Sequence, residues 1–138
     1  MVEDTNNTTL NKTMQLRSNS ALWTLTEEER IKVAESAHTS INTLEELAHD
    51  DSLYVRYSVA ENSKTPPEIL FELAKEDNVL MKHLISQNKN CPAKLLEDIS
   101  HTTDPDILEA ISIHPSASAN LAHVCAERLR KIMRTKRY

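Results

Sequence analysis

The chain has no glycine in 138 residues. That excludes glycine-rich phosphate loops, dinucleotide-binding fingerprints and tight glycine hairpins. Aromatic residues amount to only 4%, so aliphatic side chains must build the core. Two cysteines cannot make a disulfide framework, and no apolar run approaches a membrane span. Met1 to Ser20 is polar and lacks the apolar heart of a signal peptide, which makes a reducing cytoplasm the expected compartment. The remainder is ordinary globular material, 39% hydrophobic and 27% charged, in a length that suits one domain.

Charge is segregated along the chain. Sixteen lysines and arginines face 21 aspartates and glutamates, for a net −5. Six of the cations follow position 127 and no acid does, so residues 1–127 carry −11 and the last eleven carry +6. An acidic body opposes broad nucleic-acid binding, which depends on phosphate neutralisation. The basic end either touches an anionic partner or complements the dipole of a terminal helix.

Displaced against itself by 26 residues, the sequence aligns its apolar positions. Val33, Val59, Ile85 and Ile111 form one column; Leu44, Leu70, Leu96 and Ala122 a second; Leu47, Leu73, Ile99 and Cys125 a third. Small residues align beside them at Ala34, Ala60, Ser86 and Ser112. The register defines four units, 26–51, 52–77, 78–103 and 104–129, and such fixed self-similarity is the signature of a solenoid.

Each unit reads as two short helices. Thr26, Ser52, Asn78 and Asp104 share a column made entirely of good N-caps. Val55 with Val59, Met81 with Ile85, and Ile107 with Ile111 stand one helical turn apart and make a buried stripe. In the absence of glycine, Asn62 and Asn88 are the expected left-handed residues ending the first helix. Thr65-Pro66-Pro67-Glu68 reads as a capping box opening the second helix, and Cys91-Pro92 opens the next unit in register. One unit buries too few aliphatic side chains to offset the ordering of its backbone, so stability must come from a shared core.

Leu47-Ala48, Val55-Arg56, Val59-Ala60-Glu61-Asn62 and Thr65-Pro66-Pro67-Glu68-Ile69-Leu70 resemble the variant leucine-rich repeat, which belongs with the HEAT-like α-solenoids. The match is strongest from about 48 to 73 and weakest in the first and last units, where Thr39-Ser40 and Ala117-Ser118 replace the threonine-proline pair. The resemblance implies an all-α fold: a short right-handed α-solenoid of about four 26-residue two-helix repeats with capping ends. Some members carry an iron–sulfur cluster on an N-terminal cysteine segment. This chain has no cysteine before Cys91, so no cofactor is expected.

The expected organisation is a polar N-terminal arm (1–20), a helical-repeat domain (21–134) and a basic C-terminal tail (135–138). Leu22, Trp23 and Leu25 precede the first cap and suit one end of the stack. Leu121, Val124, Cys125, Leu129, Ile132 and Met133 continue a helical stripe at the other end, with Arg130 and Arg134 opposite.

Chemistry is sparse. None of the six histidines has a partner at ligand spacing, and His49 and His101 fall in a variable column. Cys125 replaces leucine in a core column. Cys91 stands at a helix start, where a thiol can become reactive, although a structural role is the simpler reading. The acids at Asp50-Asp51, Glu76-Asp77, Asp104 and Asp106 recur at unit junctions, where capping explains them. Arg30, Arg56 and Lys82 form a basic column that ends at Leu108. They either bridge to the junction acids or, with Arg130, Arg134, Lys136 and Arg137, contact a partner. The expected function is non-catalytic: a protein–protein interaction module, adaptor or inhibitor, binding through the solenoid surface. The alternative is an anion- or nucleic-acid-binding HEAT-like protein using the basic column and basic C-terminus.

Overall fold

A side chain caps a helix start at each of four positions spaced by 26 residues. Thr26 Oγ1 accepts from Glu29 N (3.2 Å), Ser52 Oγ from Val55 N (3.4 Å) and Asn78 Oδ1 from Met81 N (2.9 Å). Asp104 Oδ1 accepts from Asp106 N and Ile107 N at 3.0 and 3.1 Å. Glu29 also returns a carboxylate oxygen to Thr26 N at 2.9 Å, completing a capping box.

The computed structural model describes residues 21–136; the N-terminal arm and, within the basic tail, Arg137 lie outside the described residues. Among the described residues there are eight α-helices and no strand. After a 3₁₀ turn at Ala21–Thr24 come α1 (Glu27–Glu35), α2 (Ile41–Leu47), α3 (Leu53–Glu61), α4 (Pro67–Leu73), α5 (Val79–Gln87), α6 (Ala93–Ile99), α7 (Pro105–Ser112) and α8 (Ala119–Thr135). The odd-numbered helices contact one another in sequence, α1 with α3, α3 with α5 and α5 with α7. Each even-numbered helix packs beside its odd-numbered predecessor, and α2 also reaches α3.

The aligned columns point inward. Leu44, Leu70 and Leu96 are fully buried, as are Val59, Ile85 and Ile111, and all belong to one core cluster. Val33 is only half-buried, since no helix pair precedes α1 among the described residues. In α8, Cys125 is buried while Leu121, Leu129 and Ile132 pack against the core. Val124 and Met133, at the margins of that stripe, remain exposed.

Asn62 and Asn88 are not left-handed. Their φ values are −67° and −74°, and no described residue has positive φ. Both side chains are instead committed across the stack. Asn62 Nδ2 donates to Ala34 O (2.7 Å) and Ser36 O (2.9 Å); Asn88 Nδ2 donates to Ala60 O (2.8 Å) and Asn62 O (2.9 Å). The next position in the column is His114, whose Nε2 donates to Asn88 O at 2.8 Å while Nδ1 accepts from Ser116 N. Asn62 and Asn88 use their carboxamide oxygens in the same way, toward the backbone N–H two residues on. Buried donors thus satisfy Ala34 O and Ala60 O at the ends of α1 and α3. They add a second bond to Ser36 O, Asn62 O and Asn88 O, which also accept from Thr39 N, Thr65 N and Cys91 N.

The second expected cap also differs. Pro66, not Thr65, is the N-cap of α4, and no side chain caps that end. The buried Thr65 hydroxyl turns back and donates to Val59 O at 2.6 Å, as Thr39 does to Val33 O one unit earlier. Val59 O also accepts from Asn62 N at 3.2 Å, so the hydroxyl adds a second bond at the C-terminus of α3. Thr65→Ala is expected to cost about 1 kcal/mol, the net worth of one hydrogen bond, because Val59 O keeps the Asn62 N–H. A chemical melt of the variant checks this, with a midpoint identical to wild type as the contrary result.

Candidate partner-binding surface

Arg30 and Arg56, near the starts of α1 and α3, hold the ends of the following even-numbered helices. Arg30 Nε and Nη2 donate to the Asp50 carboxylate at 2.7 and 3.3 Å, and Nη1 donates to Leu25 O at 2.8 Å. Its guanidinium carbon lies 5.7 Å from the Trp23 ring centroid. The hydrogen bond to Asp50 raises Arg30 above its ordinary pKa, with burial opposing. Arg56 repeats the pattern: Nε and Nη2 reach Glu76, and Nη1 donates to Asp50 O at 2.6 Å, in the preceding unit. Lys82 is looser, 3.7 Å from a fully exposed Asp77 carboxylate.

Leu108 is buried and supplies no cation to the fourth junction. Arg128 reaches back from α8 instead, donating to Ser100 O at 2.7 Å and to Thr102 O. Arg130, Lys131, Arg134 and Lys136 are exposed, with Arg130 paired to Glu127. The predicted binding residues therefore divide by surroundings. Arg30 and Arg56 are held within the stack, Lys82 lies between, and Arg130, Arg134 and Lys136 face solvent.

A second surface runs across the odd-numbered helices and was not singled out from the sequence. Positions 28, 54, 80 and 106 align as Glu28, Tyr54, Leu80 and Asp106, all exposed. Ile31, Tyr57, His83 and Glu109 form the next row, and Glu35, Glu61, Gln87 and Ile113 the third. On α1, α3 and α5 these residues stand at i, i+3 and i+7 and so share one face. On α7 Asp106 and Glu109 do so, and Ile113, the residue just past the helix, joins them at the groove. Tyr54 and Tyr57 meet edge to face at 6.4 Å, and Tyr57 is tied to Asn78 at the start of α5. Between α5 and α7 the face deepens into an open groove of about 550 Å³, bordered by His83, Gln87, Asp106, Glu109 and Ile113. The same 26-residue alignment that reveals the core also contains these rows.

Cys91 is buried, and loss of solvation pushes its thiol up to about 12, opposite to the lowering that a helix start can produce. Its Sγ lies 3.9 Å from Pro92 O, and the geometry makes it a packed side chain rather than an activated nucleophile. Because the unfolded thiol titrates near 9, this group's contribution is fully present below pH 9 and is lost as pH rises toward 12. Stability should therefore fall by about 1 kcal/mol per pH unit within that window from this thiol. Cys91→Thr removes the effect and supplies the hydroxyl used at Thr65. Thermal melts of both proteins between pH 8 and pH 11, taken as pH differences, check this. Parallel curves would count against it.

Among the described residues, no group of three or more His, Cys, Asp or Glu is placed to hold a metal, and no helix is long and apolar enough to cross a membrane. Comparison with protein families, curated proteins and solved structures returns no match.

Proposed function

We propose that this protein is a non-catalytic protein–protein interaction module, an adaptor or inhibitor working in a reducing cytoplasm. Its helix pairs are read as a short right-handed α-solenoid of about four units, of the kind the variant leucine-rich repeat resemblance implies. The observation that carries the reading is the face of the odd-numbered helices. Tyr54, Leu80 and Ile113 present exposed apolar surface there, alongside a shallow groove. Apolar side chains gathered on one face of a stacked array make a surface suited to a macromolecular partner.

A second reading, anion or nucleic-acid binding, draws on the exposed cations Arg130, Lys131 and Arg134 of α8 and Lys136 just past its end. Affinity capture with the full chain, with and without nuclease, separates the two. A protein that survives nuclease and re-forms a stoichiometric complex when purified supports the interaction module. Capture that vanishes with nuclease, and binding that falls steeply with salt, supports the second reading.

A further inference from the structure

We infer that the face of the odd-numbered helices docks a cationic peptide segment with apolar anchors, supplied by another protein. This rests on the interaction-module reading and names the chemistry of its partner.

Apart from the exposed Lys32, one turn from Glu28 on α1, the charge on this face is one-sided. Its twelve aligned positions include Glu28, Glu35, Glu61, Asp106 and Glu109 and not one lysine or arginine. Glu28 lies 3.9 Å from Lys32. Among the described residues, no lysine or arginine forms an ion pair with Glu35, Glu61, Asp106 or Glu109. Some acids elsewhere are matched, Asp50 by Arg30, Glu76 by Arg56 and Asp98 by Lys94. Among the described residues Glu45, Glu68 and Glu97 on the even-numbered helices also lack an ion pair with lysine or arginine. The unmatched carboxylates of this face surround Tyr54, Leu80 and Ile113, which are 67%, 47% and 78% exposed. A cationic segment with apolar side chains complements both features, covering the apolar surface while its charges meet the acids. Phosphate backbones carry the wrong sign for this face, which argues for a peptide.

The spacing adds a constraint. Packed helices lie roughly 8–10 Å apart, and a polyproline II chain, with three residues per turn, advances about 3.1 Å per residue. A segment in that conformation crossing the odd-numbered helices returns every third side chain to the surface about 9 Å on, close to the helix spacing. The favoured ligand therefore carries lysine or arginine at every third position, with leucine between.

The test uses the full chain and a fluorescent synthetic peptide of that pattern, with a glutamate-for-lysine version and single-stranded DNA as controls. Anisotropy should show binding by the cationic peptide alone, weakening as salt rises. Backbone amide shifts should concentrate in residues 54–61, 80–87 and 106–113. Glu61→Lys with Glu109→Lys should weaken binding by about tenfold or more, and Leu80→Ala with Ile113→Ala by about tenfold. All four positions are exposed, so circular dichroism should show the fold retained. Absence of binding, equal binding of the acidic peptide or the DNA, or shifts confined to α8 or the even-numbered helices would overturn the inference. So would a captured protein partner whose affinity ignores the Glu61→Lys, Glu109→Lys pair, though that result leaves the interaction-module reading standing.

Discussion

A chain ended before Asp104 is expected to lose its cooperative melt. The deletion removes α7 and α8, and with them the fully buried Ile107, Leu108, Ile111 and Cys125. The gross burial lost, roughly 1.5–3 kcal/mol for each aliphatic side chain, is offset in large part because the deleted residues no longer have to be ordered. Against a total stability of only about 5–15 kcal/mol, the uncovered neighbours decide the outcome. The damage also reaches the remaining units. α5 loses its packing against α7, Asn88 O loses its donor from His114, and Ser100 O and Thr102 O lose Arg128. Thermal circular dichroism should show a broad transition displaced downward by tens of degrees, or none. A truncated chain that melts as high and as sharply as the full one would mean that the units do not share a core.

How much of this is legible in the sequence depends on what each residue does. Thr26, Ser52, Asn78 and Asp104 act locally, on N–H groups two or three residues away, and local action leaves a readable spacing. The apolar columns are legible for a similar reason, since burial repeats with the unit. The roles of Asn62, Asn88 and Thr65 are not legible in the sequence, because polar residues beside helix ends have several local uses. Their actual partners lie up to 28 residues away or in the preceding helix. His114 is the clearest instance. Only in three dimensions does an imidazole occupying an asparagine position reproduce the donor and acceptor geometry of a carboxamide. The acidic face was hidden for another reason: its meaning lies in the lack of cations across three rows, and a missing charge is less conspicuous than a basic column.

Charge reversal of that basic column, Arg30→Glu, Arg56→Glu and Lys82→Glu, separates a structural role from a binding one. If the three cations act within the stack, their single effects should rank by the burial of their partners. Arg30→Glu should be the most severe, because the Asp50 carboxylate is 1% exposed and would face a like charge with two donors gone. Breaking such a pair costs about 3–5 kcal/mol. Arg56 and Glu76 are each part-exposed, at 20% and 30%, so solvent screening reduces their pair to about 1 kcal/mol. Arg56→Glu also removes the bond to Asp50 O, which places its effect between the other two. Lys82→Glu should scarcely move the melt, since its partner Asp77 is fully exposed. A partner-binding role predicts a different order: melts unchanged across the column and affinity reduced by each reversal, with slower association at low salt. Reversing the exposed Arg130, Arg134 and Lys136 supplies the reference, because those changes should leave folding intact under either reading. Thermal melts run beside titrations of a captured partner decide the matter residue by residue. Loss of binding by Lys82→Glu with no change in its melt would assign Lys82 to the interface, while Arg30 and Arg56 remained fastenings between helices.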